Sequence, residues 1–136
     1  LVDQLIIGIG INVEKEELFS PEKRLELVQQ VTSRWDNVEV RVFRGLAVQF
    51  VRECGARLMI RGIRPLTDIA AEFTMMMANR QLDSGVETIF LMADEDFSHI
   101  SSSLIKQIAV MSDDEMLARF IPAEIIPDVR DKLKSQ

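Results

Sequence analysis

Two periods of apolar and polar residues run along this chain. Residues 4–12, QLIIGIGIN, form a nearly unbroken apolar run rich in β-branched side chains, which predicts a strand covered on both faces. A charged stretch, VEKEE, interrupts it. The segment FSPEKRLELVQQVTSRW (19–35) then shifts to helical spacing, with Leu25, Val28 and Val31 on one stripe, Ser20 placed to cap and Pro21 in the first turn. The valines of NVEVRVF (37–43) alternate as in a strand. LAVQFVREC (46–54) before Gly55 predicts a short helix with a glycine stop. RLMIRG (57–62) reads as a third strand, with Arg61 at its last position before Gly62, and residues 66–82 as the longest helix. ETIFLMA (87–93) is a fourth strand and ISSSLIKQIAVM (100–111) a helix opened by serines. DDEMLARFIP (113–122) and PDVRDKLKSQ (127–136) are two further helical patterns divided by proline. The three methionines at 75–77 read as helix packing.

Strands alternating with helices over the whole length predict parallel strands joined by right-handed crossovers. The expected fold is α/β, a Rossmann-like doubly wound parallel sheet, in one domain over residues 1–136. Such sheets take ligands beyond the carboxyl ends of their strands, which directs attention to the residues after IGIGIN, VRVF, MIRG and FLMA.

Composition narrows the partners. A hydrophobic content of 47% over 136 residues suffices for a core, and a formal charge of −6 argues against a general nucleic-acid binder. It leaves room for a small phosphorylated ligand held by a few local cations. Cys54 is the single cysteine, so no internal disulfide forms, and no Cys/His set for zinc is present. These features predict a cytoplasmic protein. No apolar run approaches the roughly 20 residues that span a bilayer, so no membrane partner is expected.

Candidate chemistry gathers at the expected strand ends. Asn12 and Lys15 follow the first strand, where the lysine is either solvated or a ligand cation. Leu46 and Ala47 open a helix after the second, offering amides and a small side chain, or plain packing. After the third, Arg61 and Arg64 flank Gly62 and Ile63. Guanidinium groups bind phosphate in a planar, bidentate manner, and glycine permits close approach. The alternative is a pair of surface ion pairs with Asp68 and Glu72. Glu72 offers an acceptor for an adenine amino group or a ribose hydroxyl, or serves only as a helix-start charge; Asn79 is equally open. After the fourth strand, Ser101, Ser102 and Ser103 begin a helix, an anion-friendly terminus. Phe97 offers a wall for a flat group. His99, the only histidine, has no acidic or serine partner at a fixed spacing and reads as a loop residue. The arginine pair and the triple serine together suggest a ligand with several phosphates, such as a nucleotide.

At these residues the chain resembles the phosphopantetheine adenylyltransferase family of the nucleotidyltransferase superfamily. The likeness is carried by FSPEKRLELVQQ, NVEVRVFRGLAVQFVRECGA, LMIRGIRPLTDIAAEFTMMMANRQL, ETIFLMADEDFSHISSSLIKQIA and FIPAEI, in one order across almost the whole chain. The resemblance implies transfer of an adenylyl group from ATP to 4′-phosphopantetheine, giving dephospho-coenzyme A and pyrophosphate, with Mg2+ assisting. It implies that Lys15 and Arg61 hold the phosphopantetheine end and that the Ala47 backbone meets its arm. ATP would fall to Gly62, Ile63, Arg64 and Glu72, with Phe97, Ser98, His99, Ile100, Ser101, Ser102 and Ser103 around its phosphates. A cytoplasmic homohexamer is implied as well.

The family also begins with a strand, a GTFDP…GH loop bearing the catalytic histidine, and a helix. The present sequence starts at what corresponds to the second strand. The expectation is therefore that the first strand, central in the sheet, and the catalytic loop are missing. No catalytic residue is then present, and the 136 residues alone would show little or no activity. Two other functions fit the residues: another nucleotidyltransferase of the superfamily acting on a different phosphorylated substrate, and a non-catalytic nucleotide-binding or subunit module.

Overall fold

The alternating valines and capped apolar stripes become strands and helices in the computed structural model, which describes residues 2–12, 17–64 and 68–135. In chain order these are β1 (Leu5–Gly10), α1 (Pro21–Thr32), β2 (Val38–Phe43), α2 (Ala47–Glu53), β3 (Leu58–Ile63), α3 (Ile69–Leu82), β4 (Glu87–Met92), α4 (Ser102–Met111), α5 (Asp114–Leu117), a 3-10 turn (Ala123–Ile125) and α6 (Ile126–Lys134). Parallel strands alternating with helices make this an α/β fold. The strands form two separate two-stranded sheets, β1 with β2 and β3 with β4. The chain divides into two compact units, residues 1–43 with 100–136, and residues 44–99.

In the first unit, β1 and β2 run parallel in register, from Leu5 opposite Val38 to Gly10 opposite Phe43. A Cβ at Gly10 would stand 3.1 Å from the Phe43 ring, so a side chain there would have to displace that ring slightly. Ile9 is buried, but Leu5, Ile6 and Ile7 keep part of their surface, so the full cover predicted from the apolar run is not realised. Ser20 caps α1 as expected, its hydroxyl accepting from the Lys23 amide, and Pro21 occupies the first turn. Ala109, Leu117, Ile126 and Val129 form a buried cluster, with Phe19, Ile108, Ile121 and Leu133 packed against it. Arg130 fastens this cluster by donating to the carbonyls of Ala109 and Ser112 and to the Asp114 carboxylate. The helix expected over 113–122 shortens to α5, one turn capped by Asp113. Beyond it the Arg119 and Phe120 amides donate three residues back, to the Met116 and Leu117 carbonyls, so the chain goes on as a turn.

In the second unit, β3 and β4 pair in parallel from Leu58 opposite Glu87 to Ile63 opposite Met92. Val48 and Val51 of α2 bury against Val86, with Ala56 and Met59 alongside. The glycine stop works as the sequence predicts. Gly55 adopts φ +68, its amide donates to the Arg52 carbonyl, and the Ala56 amide donates to the Val51 carbonyl, closing a Schellman turn. The methionines of α3 depart from expectation: Met75 and Met77 are exposed and Met76 is half-buried. The buried residue of this helix is Asn79.

Candidate active site

The carboxyl end of β3 meets the start of α3 through two arginine–carboxylate pairs. The strand runs two residues beyond Arg61, rather than ending at it, because Gly62 and Ile63 continue the ladder opposite Leu91 and Met92. By the strand's alternation, Arg61 shares a face with Met59 and Ile63. Its Nε and Nη2 donate to the two Glu72 carboxylate oxygens at 2.8 and 2.5 Å. Arg64 lies just past the strand. Its Nε and Nη2 donate to the Asp68 carboxylate at 2.7 and 2.8 Å, and its backbone amide donates to the same carboxylate at 3.1 Å.

The helix start explains why these partners meet. The Asp68 amide donates to the Arg64 carbonyl, and the Asp68 carbonyl accepts from the Glu72 amide as the first bond of α3. Asp68 and Glu72, four residues apart, therefore face the strand end together. Both guanidiniums are held above the ordinary arginine pKa, in each case chiefly by the hydrogen bond to the carboxylate. The ion pairs weighed against a ligand role thus form. Each pair engages the guanidinium through Nε and Nη2, two of its five N–H donors.

Because β3 and β4 are parallel and end in register, the residues that follow β4 leave from the same edge of this sheet; the Ala93 amide donates to the Ile63 carbonyl at 2.8 Å. Phe97, Ser98 and His99 lie in the turn that follows. Phe97 is 61% exposed, His99 is exposed as a loop histidine, and the Ser98 hydroxyl donates to the Glu95 carbonyl. Ala47 is the first residue of α2, entered from an extended Leu46 whose side chain does not cap the helix. Asn12 is partnered within the structure.

Ile100 and the three serines belong to the first unit. Ser101 is the N-cap of α4, its hydroxyl accepting from the Leu104 amide at 3.2 Å. Ser102 and Ser103 occupy the first turn with exposed side chains. One serine is enough for the cap, and two remain on the surface. Lys15 lies outside the described residues.

Among the described residues, two clefts occur elsewhere. One of about 520 Å³ is lined by Leu46, Gln49, Arg52 and Asp83 among others, and one of about 380 Å³ by Phe19, Lys23, Asp128 and Lys132 among others. Neither is lined by Arg61 or Arg64. Among the described residues, no group of three or more His, Cys, Asp or Glu side chains could hold a metal ion, and no helix is long and apolar enough to cross a membrane.

Comparison with known proteins decides the family. The Cytidylyltransferase-like family model matches residues 1–108. The chain is 63% identical over 134 residues to the phosphopantetheine adenylyltransferase of Rhodopirellula baltica, covering 98% of this chain and 75% of that relative. It is 38% identical over 131 residues to the phosphopantetheine adenylyltransferase of Clostridium botulinum strain Hall, covering 96% of this chain and 79% of that one. The chain belongs to the phosphopantetheine adenylyltransferase family.

Within that family frame, the parallel α/β elements are those of a nucleotidyltransferase fold. Arg61, Gly62, Ile63, Arg64 and Glu72 stand together in one unit at the strand edge that α/β ligands use. Asp68 is the residue that pattern reading undervalued. Its signal was present in the sequence, an aspartate four residues after Arg64 and directly before the apolar helix.

Proposed function

We propose that this phosphopantetheine adenylyltransferase family member binds ATP and 4′-phosphopantetheine and serves the transfer of the adenylyl group between them, in coenzyme A synthesis. One observation carries the reading. Two guanidiniums flank Gly62 and Ile63 at the carboxyl end of β3, in a chain 63% identical to a curated enzyme of that name.

In the reaction an anionic phosphate oxygen of phosphopantetheine attacks the α-phosphorus of ATP. A new oxygen–phosphorus bond forms, the α–β bridging bond breaks, and pyrophosphate departs with the electron pair. The nucleophile is already ionised, so no base is needed. The protein's task is to hold two polyanions in line and to offset the charge gathered on the leaving group. In this reading Lys15, Arg61 and the Ala47 backbone hold phosphopantetheine. Gly62, Ile63, Arg64, Glu72, Phe97, Ser98, His99, Ile100, Ser101, Ser102 and Ser103 hold ATP.

Magnesium fits as part of the substrate. The Asp68 and Glu72 carboxylates are both engaged by arginine, which accords with an ion that enters bound to the polyphosphate of ATP. A homohexameric assembly accords with the apolar side chains left on the surface, among them Phe73, Met77, Leu91 and Met111. Cytoplasmic placement accords with a chain whose single cysteine, Cys54, cannot form an internal disulfide.

The test is calorimetric titration of the chain with MgATP and with 4′-phosphopantetheine, followed by mass spectrometry for dephospho-coenzyme A. Binding of both ligands is expected, with nicotinamide mononucleotide failing to replace phosphopantetheine. A chain that takes up neither ligand overturns the proposal.

A further inference from the structure

Asp68 occupies the N-cap of α3, the position where an aspartate ordinarily accepts from the second or third helical amide. Its carboxylate caps no backbone amide in this way. Instead it accepts three hydrogen bonds from one residue, Arg64: the backbone amide at 3.1 Å, Nε at 2.7 Å and Nη2 at 2.8 Å. The usual use of an N-cap aspartate has been given up in favour of fixing a single guanidinium. The pair is only partly shielded, with 33% of the Arg64 and 22% of the Asp68 side-chain surface accessible. A surface ion pair of this kind contributes little to stability, so stability alone does not account for the arrangement.

We infer that Asp68 is a positioning residue for polyphosphate binding: it locks the Arg64 guanidinium plane at the end of β3 before the nucleotide arrives. This inference rests on the reading that the site takes MgATP. Arginine has several rotatable bonds, and a ligand that must immobilise them loses affinity in doing so. A carboxylate gripping the Nε–Nη2 edge, and the backbone amide of the same residue, restricts those rotations in the free protein. The guanidinium plane is then fixed before any ligand arrives. Glu72 treats Arg61 in the same way. Asp68 is also a negative charge near an anionic ligand. If repulsion outweighed preorganisation, its removal would tighten binding, and the two effects differ in sign.

The experiment titrates the full chain and its variants with MgATP and, separately, with 4′-phosphopantetheine. Asp68→Asn is expected to weaken MgATP binding about tenfold, the order lost when one long side chain is no longer preordered, while phosphopantetheine affinity stays within about twofold. Asp68→Ser is the second variant. Serine caps helices well but cannot grip the fork, so the same loss is expected with an unchanged or higher thermal midpoint. In an Arg64→Ala background neither substitution should weaken MgATP further. MgATP binding by Asp68→Asn that equals or exceeds wild type overturns the inference, as does an equal loss with Arg64 removed. A wild-type chain that binds no MgATP overturns the proposed function, and this inference with it.

Discussion

Arg52, on α2, donates from Nε and Nη2 to the two carboxylate oxygens of Asp83, which ends α3, at 2.7 and 2.9 Å. The contact joins residues 31 apart in sequence and ties the two helices of the second unit. The Gly85 amide also donates to Asp83, at 2.8 Å. Together, the Arg52 hydrogen bond first and the Gly85 amide second, they lower the Asp83 pKa from 3.8 to about 2.

Acid should therefore weaken the second unit in a defined window. Because the folded-state pKa lies below the unfolded one, the Asp83 contribution is complete above about pH 4 and is lost as pH falls through about 2. Thermal midpoints of wild type and Asp83→Asn, followed from pH 5 to pH 2, should converge as the pH drops. A gap that stays constant across this range would show that Asp83 does not titrate with folding.

Gly85 leaves room for that contact. A Cβ there would stand 2.1 Å from Arg52 Nη2. In Gly85→Ala the flexible guanidinium is expected to swing aside, releasing Asp83. The Asp83 carboxyl resonance, followed by NMR, should then titrate closer to the ordinary value of 3.8. A titration midpoint still near 2 would mean that the backbone amide alone holds the carboxylate.

Leu117 is the largest fully buried side chain, at 0% exposure, and packs within the cluster of Ala109, Ile126 and Val129. Leu117→Ala removes that filling and should cost about 2–5 kcal/mol, read from the urea midpoint. The exposed neighbour substitution Met116→Ala should cost under about 0.5 kcal/mol. Comparable losses in both variants would contradict the packing described for this unit.

The two arginines should separate by ligand. Arg64→Lys keeps the charge but loses the planar fork, and MgATP affinity is expected to fall about tenfold or more. Arg61→Ala should weaken 4′-phosphopantetheine more than MgATP. Equal losses of both ligands in both variants would end the division of roles proposed for the pair.

Local chemistry was legible where it involves neighbours along the chain. Ser20 before Pro21 marked the start of α1, and Gly55 marked the stop of α2 because only a residue at ease with positive φ closes that turn cheaply. The arginines around Gly62 pointed to the ligand edge of the fold, and the quoted motifs pointed to the family. Less legible was how much surface each element would keep. The methionines of α3 lie on a helical pattern that predicts packing, yet Met75 and Met77 are exposed, since burial depends on which neighbour reaches a face. The length of α5 also escaped pattern reading, because an apolar period does not register that the chain tightens into a turn after Ala118.

The sequence by itself determined the alternation of strands and helices, their caps and stops, and the strand end at which Arg61 and Arg64 stand. These follow from interactions within a few residues, such as side-chain period, cap hydrogen bonds and permitted backbone angles. Only the tertiary structure decided which carboxylate each arginine holds, that Asp68 grips Arg64 instead of capping its helix, and that Asp83 finds Arg52. The Arg61–Glu72 and Arg52–Asp83 pairings depend on where separate elements bring long, rotatable side chains together, which no local period encodes. Arg64–Asp68 follows from a spacing of four, whose choice over capping the folded backbone decides.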